Sequence, residues 1–200
     1  MIDLRRRFAI RSAGLAALAL ALSSCGSKAE RFLATDITGA DWGRDFRLTD
    51  HTGRPRTLAD FRGKVVMLFF GYTHCPDECP TTLAKMARAV DRLGKDGKRV
   101  QGLFVTVDPK RDTQDVLAKY VPAFYPGFIG LRGSESEVAR TAKEFKVFFA
   151  PERPEDSGLY TVDHSAAIFV FDPQGRLRLL MNGDTGVEAM VHDLRLLLQQ

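Results

Sequence analysis

The chain is poor in cysteine, with Cys25, Cys75 and Cys79 as the only three in 200 residues. There is no second cysteine pair, so a four-thiolate zinc site is excluded. Charge of one sign is also scarce once the N-terminus is set aside. The whole chain carries +4, but residues 1–24 hold Arg5, Arg6, Arg7 and Arg11 against Asp3. Without them the basic residues fall from 29 to 25 and the acidic ones from 25 to 24, leaving +1. A body so balanced gives no footprint for nucleic acid. Internal repeats and low-complexity blocks are absent. The N-terminal apolar stretch, Ser12 to Leu22, is shorter than the roughly 20 residues of a comfortable transmembrane helix. What remains is ordinary: 44% hydrophobic, 27% charged, and long enough for one domain with a sizeable core and a short tail.

The first 24 residues read as a signal peptide: a positive region to Arg11, the apolar stretch, then Leu22-Ser23-Ser24-Cys25-Gly26. That ending resembles a bacterial lipoprotein signal, which predicts lipidation of Cys25. The segment Arg5-Arg6-Arg7-Phe8 is a partial twin-arginine pattern with poor flanks. The expected location is the bacterial cell envelope, facing the periplasm and held to the membrane by lipid. The expected organisation is a signal at 1–24, a tether at 25–44 and a folded domain at 45–200. Outside the cytoplasm thiols oxidise readily. With Cys25 lipidated, Cys75 and Cys79 are the only thiols left.

Those two lie in Gly71-Tyr72-Thr73-His74-Cys75-Pro76-Asp77-Glu78-Cys79-Pro80. The apolar run Val65 to Phe70 before it predicts a strand buried on both faces. After it, Leu83, Met86, Ala87, Val90 and Leu93 form a helical stripe over 81–93, with Pro80 in the first turn and Gly94 at the stop. Further on the pattern predicts a strand at 100–107, a helix at 114–120 and a short strand at 128–131. Ser134 and Glu137 make a capping box for a helix to about 145. A strand at 147–150, a loop at 151–158, a hairpin over 166–181 and a closing helix at 186–198 complete the chain. Strands alternating with helices, then a hairpin and a helix, predict a mixed α/β sandwich. With a cysteine pair opening the first main helix, this order is similar to the thioredoxin-like fold: a mixed sheet flanked by helices, with a β-hairpin near the C-terminus.

A helix N-terminus favours thiolate, which is both a nucleophile and a soft-metal ligand. Three readings are open for the pair. A structural disulfide closing so small a loop constrains the unfolded chain little. A redox-active Cys75–Cys79 disulfide fits an exported chain, but thioredoxin-type motifs space their cysteines by two residues, not three. A metal site is the third, and two thiolates suit Cu(I) or Zn(II). Structural zinc normally takes four protein ligands, so copper fits better. Of the histidines, His192 lies on the closing helix, His51 sits in an early turn, and His74 adjoins Cys75 too closely to share one ion easily. His164 precedes the strand at 166–171, across from the cysteine turn in a thioredoxin-like sheet, and is the expected third ligand.

The cysteine stretch, Val107-Asp108-Pro109-Lys110-Arg111-Asp112-Thr113, Val162-Asp163-His164-Ser165-Ala166 and Asp172-Pro173-Gln174-Gly175 together resemble the Sco/SenC copper proteins. The resemblance spans about residues 45–198. It implies copper, as Cu(I) or Cu(II), held by Cys75, Cys79 and His164. It implies delivery to the binuclear copper centre of cytochrome c oxidase subunit II, and reduction of that subunit's cysteines. Another periplasmic copper chaperone and a thiol reductase are the further partners expected. The rival reading is an exported thiol–disulfide oxidoreductase acting without metal. Asp108 and Asp112 are candidates to orient the site or meet a partner, with turn and cap chemistry the favoured reading.

Overall fold

The structure is a computed structural model and describes residues 31–152, 160–164 and 166–200. The first half of the chain runs β1 (Thr35–Asp36), β2 (Leu48–Asp50), β3 (Pro55–Arg56), β4 (Val65–Gly71), α1 (Glu78–Arg92), β5 (Val100–Thr106) and α2 (Gln114–Phe124). The second half runs β6 (Ile129–Arg132), α3 (Glu135–Glu144), β7 (Phe149–Glu152), β8 (Thr161–His164), β9 (Ile168–Phe171), β10 (Leu177–Met181) and α4 (Val187–Leu198). Eight strands form one mixed sheet in the order β1-β10-β9-β4-β5-β6-β2-β3. Strands β4, β5 and β6 are parallel, and β9 and β10 add an antiparallel hairpin to β4. Among the described residues, strands β7 and β8 pair only with each other. This is the expected α/β sandwich, with the thioredoxin-like order.

Both central strands, β4 and β5, are buried along their whole length. Alternation along β4 sends successive rings to opposite faces. Phe69 meets Phe104, which in turn meets Tyr120 of α2. Phe70 meets Phe145 at the end of α3 and Phe169 of β9. Helices therefore cover both faces of the sheet. Gly71, two residues after Phe69, shares the face of Phe104.

Several boundaries differ from expectation. The compact unit begins at Phe32, not at 45. Strand β1 pairs with β10, and the amides of Leu33 and Ala34 donate to the buried Asp193 carboxylate at 2.9 and 2.8 Å. The helix expected to stop at 120 continues to Phe124 with Pro122 inside it. Proline there gives up one i→i−4 amide bond, and the helix ends two residues later. Residues 161–164, not assigned to a strand from sequence, form β8. Cys25 and the expected signal segment lie outside the described residues.

Candidate metal centre

Strand β4 ends at Gly71, and the chain turns through Tyr72–Asp77 before α1 begins. The Cys75 amide donates to the Tyr72 carbonyl at 3.3 Å and closes the turn. Cys79 is the second residue of α1. The helix buries Cys79, Leu83, Met86 and Val90, so the period that turns leucine inward also turns this sulfur inward. Cys79 is fully buried and Cys75 is half-buried. Both are thiols, with no disulfide between them. The Cys79 amide donates to Cys75 Sγ at 3.4 Å, which gives one otherwise unpaired first-turn N–H a sulfur partner.

The absence of a side chain at Gly71 makes room for this sulfur. A Cβ there would stand 2.8 Å from Cys79 Sγ and 2.7 Å from Phe104 Cε2. The packing also changes the acid–base expectation. Burial pushes the Cys79 thiol well above its ordinary range, with the neighbouring Cys75 and Asp112 adding to the effect. In the metal-free protein, desolvation thus outweighs the helix N-terminus at Cys79.

Asp112 does more than turn chemistry. It is fully buried, and its carboxylate accepts from the Thr73 amide at 3.0 Å, the Thr73 hydroxyl at 2.6 Å and the Thr106 hydroxyl at 2.6 Å. It ties the cysteine turn to the end of β5. Thr113, not Asp112, caps α2. Asp108 accepts from the Tyr160 hydroxyl at 2.7 Å and pairs with Arg111. Sequence reasoning passed over Thr73, Arg111 and Tyr160. The signal for Arg111 and Asp112 was the dense run Asp108 to Thr113, whose partners lie far along the chain.

The histidines separate by environment. His51 Nδ1 accepts from the Gly130 amide at 2.9 Å, and His192 Nδ1 lies 2.8 Å from the neighbouring Asp193 carboxylate. Both are engaged in holding the fold. His74 is exposed, with Nδ1 3.1 Å from the Thr73 hydroxyl and 3.8 Å from Asp112. His164 ends β8, paired through the backbone with Phe149. Two residues earlier, the Val162 backbone donates to the Tyr72 hydroxyl. The structure therefore brings the two thiols together and joins the histidine's strand to their turn. Among the described residues no three His, Cys, Asp or Glu side chains converge as a metal cluster.

The family model described as SCO1/SenC matches residues 34–199. The chain belongs to the SCO1/SenC family. Among its relatives, the mouse mitochondrial SCO2 homolog is 40% identical over 153 residues, covering 76% of this chain and 60% of that protein. The zebrafish and bovine SCO2 homologs are covered over 48% and 50% of their length, so the chain spans about half of these relatives. Among solved structures, Bradyrhizobium japonicum ScoI with copper bound is 37% identical, with a TM-score of 0.69, covering 76% of this chain and 96% of that one. Apo Sco1 from Thermus thermophilus is 41% identical, with a TM-score of 0.75, covering 85% and 98%.

These relatives correct one expectation. The matched SCO2 homologs of mouse, zebrafish, cattle and human are mitochondrial, so placement as a bacterial periplasmic lipoprotein is not supported. Arginine-rich, acid-poor leaders serve mitochondrial transit as well as secretion, so the composition of residues 1–24 did not separate the two. No helix among the described residues is long and apolar enough to cross a membrane.

Proposed function

We propose that this SCO1/SenC protein is a copper chaperone of cytochrome c oxidase assembly. Copper is its cargo, held by the Cys75 and Cys79 thiolates and the His164 imidazole. The observation that carries the reading is the placing of two cysteines in one turn, with the Cys79 amide donating to Cys75 Sγ at 3.4 Å. Two adjacent soft donors suit Cu(I), and an imidazole on the facing strand suits Cu(II) as well. The copper-bound Bradyrhizobium relative supports the choice of metal. BsSco, a fold relative at 22% identity, is described as a member of the Sco family of cytochrome c oxidase assembly proteins.

Delivery to the binuclear copper centre of subunit II proceeds by ligand exchange. The half-buried Cys75 is the sulfur a partner's thiolates reach first, and Cys79 lets go last. An upstream copper donor loads the site, and a thiol reductase keeps the pair reduced. His164→Ala is expected to leave Cu(I) bound to two thiolates and to remove the Cu(II) form. An unchanged Cu(II) absorption spectrum in that variant refutes the three-ligand assignment.

A second reading draws on the same asymmetry. One accessible and one buried thiol also suit disulfide exchange, with Cys75 attacking a client disulfide and Cys79 resolving the mixed disulfide. The two thiols are oxidised to the Cys75–Cys79 disulfide as the client disulfide is reduced. Turnover on a disulfide substrate, without copper uptake, would favour it.

A further inference from the structure

Among the described residues the ribbon of β7 and β8 has no backbone pairing to the main sheet. A lone two-stranded ribbon is marginal in water and needs side-chain anchors. On the side of α3 it stands over a cleft of about 330 Å³, bordered by Pro109, Val138, Phe149 and Tyr160. On the side of the cysteine turn it meets Arg111.

Arg111 reaches every part of that junction. Its guanidinium carbon stands 3.7 Å from the centre of the Tyr160 ring and 5.7 Å from that of Tyr72. Nη1 donates to the Tyr160 carbonyl at 2.9 Å, and Nε pairs with Asp108. The Tyr160 hydroxyl closes the ring of contacts on the other Asp108 oxygen. Nη2 is buried with no acceptor among the described residues, against the rule that buried donors are paired. One planar cation thus joins the residue before β8, the loop after β5 and the residue after Gly71. A lysine offers neither the planar stack nor the fork.

We propose that Arg111 is a positioning residue for the histidine side of the metal centre, a clamp that seats the strand bearing His164 against the turn bearing Cys75 and Cys79. The inference rests on the copper reading above and deepens it. It predicts that loosening Arg111 frees the strand that ends at His164 from the cysteine turn without disturbing the two sulfurs.

The test begins with the reduced, metal-free protein. Hydrogen exchange over residues 160–164 is expected to be about tenfold faster in Arg111→Gln than in the parent, because glutamine supplies neither the cation over the Tyr160 ring nor the charged fork. Strands β4 and β5 keep their protection. Arg111→Lys, which retains the charge alone, falls between. In copper(II) samples, Arg111→Gln loses the nitrogen hyperfine pattern of a bound imidazole, while the same variant takes up one Cu(I) on two sulfurs. Unchanged exchange over 160–164 overturns the proposal, and so does faster exchange with the nitrogen pattern intact. If Arg111→Gln does not fold, Tyr160→Phe, which removes only the bond to Asp108, carries the same comparison. A parent protein with copper(II) bound but no nitrogen pattern refutes the His164 assignment instead. The metal-free exchange then still decides whether the clamp exists.

Discussion

Gly71→Ala probes the packing of the buried sulfur with a single added carbon. The new Cβ would lie 2.8 Å from Cys79 Sγ and 2.7 Å from Phe104 Cε2, with Phe104 Cζ at 3.2 Å. Neither neighbour yields easily, because Cys79 is fixed in the first turn of α1 and Phe104 is fully buried in β5. Gly71 has no positive φ, so backbone strain does not enter. Replacing glycine stabilises by about 0.4–1 kcal/mol through the unfolded chain, whereas overpacking a filled core costs about 1–3 kcal/mol. Overpacking wins, for a net loss of about 1–2 kcal/mol and a fall in Tm of about 2–8 °C in a chain of this size. Gly102→Ala is the control: its Cβ would lie 2.5 Å from Phe128 Cδ1, with no cysteine atom among its nearest neighbours. Urea denaturation should find both variants destabilised, and competition with a Cu(I) chelator should find only Gly71→Ala weakened in copper binding. Gly71→Ala with parental stability and parental Cu(I) affinity would refute the reasoning. Equal weakening of copper binding in both variants would show that general loosening, not the displaced sulfur, sets affinity.

Two other perturbations address the same turn. Asp112→Asn puts an amide among donors that now meet a carboxylate, and the Thr73 amide cannot reverse its role. A loss of about 2–3 kcal/mol is expected in urea denaturation, with faster hydrogen exchange at residues 72–75. Parental exchange there would remove Asp112 from the account. The Cys79 thiol gives a pH signature in the reduced, metal-free protein. Its folded pKa is raised above the unfolded value of about 8.5, so the unfolded chain loses a proton that the folded protein keeps. That contribution is fully present below about pH 8.5 and is lost as pH rises, by up to about 1.4 kcal/mol per pH unit. Denaturation between about pH 8.5 and 9.5 should show a steeper loss in the parent than in Cys79→Ala. Equal slopes would contradict the burial argument.

Local patterns carried most of the fold. The run Val65 to Phe70 predicts a doubly buried strand, and the stripe from Leu83 to Val90, extended back four residues, points Cys79 inward. Ser134 and Glu137 form the capping box that their spacing announces. What stayed hidden depended on distant partners. Strand β1 exists because β10 and the Asp193 carboxylate receive it, and Asp193 lies 160 residues from Leu33. Strand β8 is four residues long, carries Asp163 and His164, and pairs with a strand containing Pro151. None of this gives a period-2 signal. The same limit applies at the centre itself. The two thiols stand in one stretch, and His164 was the expected third ligand from its place before the strand at 166–171 and from the family resemblance. The work of Asp112 and Arg111 was not legible, because a carboxylate under a turn and a cation between two tyrosine rings are properties of contacts, not of spacing.

Copper(I) uptake by the reduced chain and by the chain oxidised to a Cys75–Cys79 disulfide tests the central claim most directly. A disulfide removes both sulfur ligands at once. The account predicts one copper(I) per reduced chain and none per oxidised chain, with uptake restored on reduction. Equal uptake by the two forms would contradict it.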